Sequence, residues 1–140
     1  MIETVDRFKL AKQLNNHLQE MNKELDILVQ VNIAGDKNKS GIVPDETQNL
    51  LTDLQALAHL RVRGLMTIPP YSDNPEETRP HFRNLRLLGQ NLAAKELFFD
   101  NKRVELSMGM TNDYRVAIEE GATLIRIGTA IFGQRDISSI

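Results

Sequence analysis

Short β-branched runs alternate along this chain with stretches of helical periodicity, and that alternation limits the possible folds more than any other feature. Residues 27–33 (ILVQVNI), 62–68 (VRGLMTI), 104–110 (VELSMGM) and 124–131 (LIRIGTAI) read as strands, and residues 2–5 (IETV) as the stub of an earlier one. Phe8, Ala11, Leu14, Leu18 and Met21 share one helical face, with Asp6 placed as its N-cap. Leu50, Leu51, Leu54, Leu57 and Ala58 repeat the stripe after Pro44, a residue favoured in a first helical turn. Phe82, Leu85, Leu88, Leu92 and Ala93 make a third stripe. A short fourth helix is expected over residues 112–120, capped by Thr111 or Asn112 and stopped at Gly121.

Repeated strand–helix–strand units build a parallel sheet through right-handed crossovers. A full eight-unit barrel takes about 250 residues. The 140 residues here hold four or five units. The expectation is one α/β domain over residues 1–140, forming part of a TIM-type barrel. Its closing partners would be missing, so the first and last strands would be open edges and the inner face would lack an opposing wall. Exposed apolar surface of that size is rare on a monomer. A homodimer, or a complex with a complementing amino-terminal segment, is therefore expected.

Composition narrows the function by exclusion. Seventeen basic and 19 acidic residues give a net charge of −2, which supplies no pull toward nucleic acid and no polybasic membrane patch. The absence of cysteine removes disulfides, thiolate metal sites and thiol catalysis, and fits a cytoplasmic protein. No apolar run reaches the roughly 18 residues of a membrane span, and the charged start is no secretory signal. His17, His59 and His81 lack metal-ligand spacing. Ser107 lacks the G-x-S-x-G elbow, and no carboxylate pair stands out for acid–base work. No metal site and no catalytic residue is expected.

In parallel α/β folds, ligands bind where strands end. Two strand ends carry chemistry. In residues 107–113 (SMGMTND), hydroxyl and amide residues lead into a helix N-terminus, where free N–H groups favour an anion. A plain helix cap accounts for Thr111 or Asn112 equally well. In residues 124–133 (LIRIGTAIFG), Arg126 lies in an apolar strand, Gly128 lets a ligand approach the backbone, and Thr129 offers a hydroxyl. A structural ion pair is the competing account of Arg126. Barrels often bind phosphate between the loops after their last two strands, beside a short extra helix. Together the two loops point to a phosphate-bearing small molecule. Residues 35–41 (GDKNKSG) fail the phosphate-loop spacing, and Lys39 reads as a solvated residue near the mouth.

Four fragments carry a resemblance: 29–42 (VQVNIAGDKNKSGI), 63–69 (RGLMTIP), 106–113 (LSMGMTND) and 125–135 (IRIGTAIFGQR). In this order they resemble the pyridoxal 5'-phosphate (PLP) homeostasis proteins, the YggS/PROSC family, from about Ile2 to Asp136. The resemblance implies the barrel of fold-type III PLP enzymes such as alanine racemase, and PLP as cofactor, in a carrier rather than a catalyst. It places Ser107 and Thr111 against the phosphate, lets Gly128 and Thr129 complete that site, and counts Met110 among the cofactor-binding residues. It sets Arg126 opposite the pyridine nitrogen, with Met66 lining the site less directly. The family's cofactor lysine follows an A-V-S-K-like strand end, and no segment here matches it. The chain is therefore expected to be the family's carboxyl-terminal portion and to hold PLP without a covalent anchor. The alternatives are a piece of a racemase-like enzyme and a structural remnant that binds nothing.

Overall fold

A computed structural model of the protein describes residues 1–133. Strands β1 (Ile2–Val5), β2 (Leu25–Gln30), β3 (Leu60–Met66), β4 (Glu105–Met110) and β5 (Leu124–Arg126) form one all-parallel sheet in the order β1-β2-β3-β4-β5. A doubly wound sheet reverses its strand order at a switch point, whereas a barrel wall keeps it. Helices α1 (Phe8–Glu20), α2 (Pro44–Leu54), α3 (Arg79–Ala94) and α4 (Tyr114–Glu119) connect successive strands, and α5 (Thr129–Phe132) follows the last. The result is the expected half-barrel, with residues 2–5 a full member of it. Among the described residues no helix is long and apolar enough to cross a membrane.

The core lies between sheet and helices. Ile27, Val29, Val62, Leu65, Leu106 and Met108 from the strands pack with Ala11, Leu51, Leu54, Phe82, Leu85 and Leu92 from the helices. Each large side chain buried there contributes about 1.5–3 kcal/mol. The three helical stripes read from the sequence supply these contacts, although Phe8 and Met21 at the ends of the first are exposed. The sheet can curl tightly because β3 and β4 nearly touch at Gly64. A Cβ there would lie 1.9 Å from the Glu105 carbonyl oxygen.

Several local expectations need correction. The run 124–131 is not one strand: it stops at Arg126, and the amides of Ile131 and Phe132 donate back to the Gly128 carbonyl in the turn that forms α5. Asp6 does not cap α1. Its carboxylate accepts from Arg7 Nη1 at 2.7 Å, and Arg7 holds the N-cap position. Neither Thr111 nor Asn112 caps α4, whose N-cap is Asp113. The Asp113 carboxylate instead turns back to accept from the Met110 amide at 2.7 Å. Gly121 does end that helix, at φ +94°.

The concave face also differs from the bare apolar wall anticipated. Leu28 and Gln30 alternate with Ile27 and Val29 and so point inward, yet Leu28, Gln30 and Met66 are all buried. The sheet curls enough for β1 and β4 side chains to meet across it: Ser107 Oγ donates to Glu3 Oε2 at 2.6 Å. Exposed apolar side chains gather instead on the last elements, at Ile118, Ile125, Ile131 and Phe132. The sheet does end in β1 and β5, which have no partner strand on their outer sides among the described residues.

Candidate functional site

The carboxyl ends of β3, β4 and β5 open into a cavity of about 450 Å³, within the range of small-molecule sites. Ile68, Pro69, Pro70 and Tyr71 wall it on the β3 side, and Met110, Thr111 and Asn112 on the β4 side. Arg126, Gly128 and Thr129 come from the β5 end, and Lys39 from the loop after β2. Five of the six residues expected to bind the ligand therefore meet here: Met110, Thr111, Arg126, Gly128 and Thr129.

Local geometry explains the convergence. Gly109 turns the end of β4 at φ +93°, and a Cβ there would stand 2.5 Å from the Ala117 Cβ, so a side chain is excluded. The turn carries Met110 and Thr111 out over the cavity. Freed from capping, the Thr111 hydroxyl accepts from the Ala130 amide at 3.3 Å and ties β4 to α5. Asn112 Nδ2 donates to the Ser72 carbonyl at 2.7 Å, and Lys39 Nζ to the Pro69 carbonyl at 2.7 Å. These two bonds hold the proline-rich wall in place. Gly128 has an ordinary φ of −117°. A Cβ there would meet no atom within 4 Å, so the missing side chain leaves room in the cavity rather than relieving strain.

Ser107, the sixth expected residue, does not line the cavity. It is fully buried, donates its hydroxyl proton to Glu3 and accepts from Arg126 Nη1. Met66 likewise faces the interior and not the cavity.

Arg126 combines an ion pair with a place in the cavity wall. It is ion-paired, with Nη1 3.8 Å from Glu3 Oε2, and Nη2 donates to the Thr67 carbonyl at 2.9 Å. It also lines the cavity, with 27% of its side chain exposed. Burial pushes its guanidinium below the usual arginine value, while Glu3 and Asp113 pull it back up. A guanidinium remains charged under these conditions. Lys39 supplies the second cation. Burial, and then the Lys39 charge, hold the nearby His81 imidazole below its ordinary value.

Lys39, expected as a solvated residue near the mouth, lines the cavity, and the wall formed by residues 68–72 was not anticipated. The loop after β2 folds back because Asn32 Nδ2 donates to the Asp36 carbonyl at 2.7 Å and Val31 bridges to Ile42. Lys39 is thereby carried over the β3 end. The signal available was its position seven residues after Asn32, at the foot of a strand.

A second cavity, of about 300 Å³, lies at the opposite, amino-terminal ends of the strands, lined by Leu60, Arg61, Phe98 and Phe99 among others. Its Arg61 is committed to Asp26 at 2.6 Å and to Glu24 at 3.0 Å. Charge is neutralised there, whereas Lys39 in the first cavity has carbonyl partners and no carboxylate partner among the described residues.

Comparison with known proteins agrees with this architecture. The family model for the alanine racemase N-terminal domain matches residues 1–136. A pyridoxal phosphate homeostasis protein of Aquifex aeolicus is 42% identical over 135 residues, covering 96% of this chain and 58% of that protein. The structure of PipY from Synechococcus elongatus PCC7942 without PLP superposes with a TM-score of 0.84 at 34% identity, over 94% of this chain and 60% of PipY. PipY with PLP bound gives 0.81 at 31% identity, over 94% and 59%. Alanine racemase from Corynebacterium glutamicum, at 17% identity, 99% of this chain and 37% of its own, shares the fold with a TM-score of 0.69. The chain thus spans somewhat over half the length of the curated relatives it matches. By the match over nearly its whole length, the chain belongs to the alanine racemase N-terminal domain family, with pyridoxal phosphate homeostasis proteins among its relatives at about 40% identity.

Proposed function

We propose that the cavity at the ends of β3–β5 holds PLP without a covalent bond, and that the chain serves PLP homeostasis as a carrier rather than an enzyme. The observation that carries this reading is the meeting of Thr111, Arg126, Gly128, Thr129 and Lys39 around one space. The family relationship and the PLP-bound PipY neighbour support it.

The residues present fit such a ligand. Two cations and the Thr111 and Thr129 hydroxyls suit a phosphate. The apolar wall of Ile68, Pro69, Pro70 and Met110 suits a flat ring. The space that a Gly128 side chain would take admits a group close to the backbone. A PLP ring protonated at its nitrogen supplies an electron sink for carbanion chemistry. Arg126, a fixed cation, would disfavour that protonation. The site is therefore suited to holding and releasing rather than to reacting. Lys39 is the one lysine lining the cavity among the described residues, and its Nζ is engaged by the Ile68 and Pro69 carbonyls. That engagement supports non-covalent binding.

Equilibrium dialysis with PLP tests the reading. Saturable binding is expected, with no racemisation of alanine in the presence of PLP. Absence of binding at millimolar PLP would leave a structural role, and racemisation would favour the enzyme. We also propose that the β5 edge is covered in solution, by a second copy or by a complementing segment. Unpaired strand edges template pairing, and Phe132 is 84% exposed beside Ile131.

A further inference from the structure

We propose that Glu3 is a resident counter-anion of Arg126, with which an anion entering the cavity must compete for the guanidinium charge. The proposal rests on the anion-binding reading above and deepens it. A serine hydroxyl has one proton to donate. Ser107 gives it to Glu3 Oε2 at 2.6 Å, while its oxygen accepts from Arg126 Nη1. The same carboxylate oxygen stands 3.8 Å from that guanidinium nitrogen. The charge of a cavity-lining guanidinium is thus already engaged by a carboxylate of the chain itself, through a serine that lies behind the cavity.

The anchoring is unequal in a way that permits exchange. Arg126 has a second partner, the Thr67 carbonyl at 2.9 Å, which does not depend on Glu3. Glu3 has only the Ser107 hydroxyl as a hydrogen-bond partner among the described residues, and 27% of its side chain is exposed. It reaches across the concave face from β1, a strand at the end of the sheet. Withdrawal of Glu3 leaves the guanidinium in place and frees its positive charge toward the cavity. The consequence is a site that holds anions less tightly than its two cations alone would, as suits a carrier that must give its cargo up.

The test compares the full chain with Glu3→Gln, which keeps the shape and an acceptor for Ser107 but removes the charge, and with Glu3→Ala. Glu96→Gln, on the turn after α3, controls for overall charge. Inorganic phosphate and PLP are the probes, titrated separately by calorimetry at low salt. Both Glu3 variants should bind both probes about tenfold more tightly, and Glu96→Gln should match the unaltered chain. Tighter phosphate binding with no PLP binding in any variant would uphold the role of Glu3 and remove the PLP reading. Measurable PLP binding that is unchanged or weaker in both Glu3 variants would overturn the role of Glu3 and leave the PLP reading standing. Failure of every variant to bind either probe would overturn both.

Discussion

Arginine meets carboxylate at two places in this molecule, and the two are built differently. On the outer flank Glu120, whose side chain is 6% exposed, accepts from Arg79 at 3.3 Å, Arg83 at 3.2 Å and Arg86 at 3.2 Å. Arg79 also holds Glu76 and Glu119. Every charge there has a partner, and the cluster ties the start of α3 to the end of α4. At the cavity, among the described residues, Arg126 is paired with Glu3 at 3.8 Å, with Asp113 also in the lining, and Lys39 donates to carbonyls. Each carboxylate-to-arginine contact is close in the first place and loose in the second. The flank is thus a fastening, whereas in the proposed reading the cavity leaves its cations available to an anion.

Substitutions should separate the two. Glu120→Ala leaves three guanidinium groups around an emptied buried position and should cost about 3 kcal/mol of folding stability, since these arginines keep some solvent contact. Chemical denaturation measures it, and a loss below about 1 kcal/mol would mean the cluster fastens nothing. Arg126→Leu should act on binding instead. It should weaken PLP by about 1.5–3 kcal/mol, the size of a hydrogen bond to a charged group, with a smaller change in melting temperature. A variant that unfolds while its folded fraction binds normally would move Arg126 into the first class.

The acid limb of stability gives a further separation. Hydrogen bonds, from Arg83 first and then Arg86 and Arg79, hold the Glu120 carboxyl below its ordinary value of 4.5. A carboxyl whose folded value is depressed stabilises above its unfolded value and loses that contribution as pH falls through the folded one. The stability gap between the unaltered chain and Glu120→Gln should therefore be full at neutral pH and shrink below about pH 4.5. A gap that does not change with pH would show that packing and not charge is lost. Smallest of all should be Lys39→Ala, at about 1 kcal/mol or less of PLP affinity, because its Nζ is partly solvated and already spent on Pro69. An effect larger than that of Arg126→Leu would reverse the ranking of the two cations.

Much of this was legible in the sequence because it depends on local pattern. The alternation of strand and helix periods specified the parallel half-barrel, and the residues at strand ends specified Met110, Thr111, Arg126, Gly128 and Thr129. What was not legible depends on how far the sheet curls. Glu3 and Ser107 are 104 residues apart, and no local rule brings a β1 carboxylate to a β4 hydroxyl. Ser107 was therefore expected in the cavity and lies behind it. Lys39 was expected near the mouth, but its bond to the Pro69 carbonyl was not legible, because the return of its loop is fixed by Asn32 and not by its own neighbours. The Thr111 cap failed for a related reason: Asp113 was free to cap the helix by position, and Thr111 was left to reach α5. The end of the fragment 125–135 that carries the resemblance lies outside the described residues.

The central claim is that the space beside Gly128 holds PLP without a covalent bond. The most direct test is a PLP absorbance titration of the unaltered chain and of Gly128→Val, followed by borohydride reduction and mass spectrometry. A valine there would fill open space rather than strain the backbone, so the variant should fold. The account predicts saturable binding by the unaltered chain, its loss in Gly128→Val at unchanged melting temperature, and no reduced adduct on Lys39. Undiminished binding by Gly128→Val, or a stoichiometric lysine adduct, would contradict it.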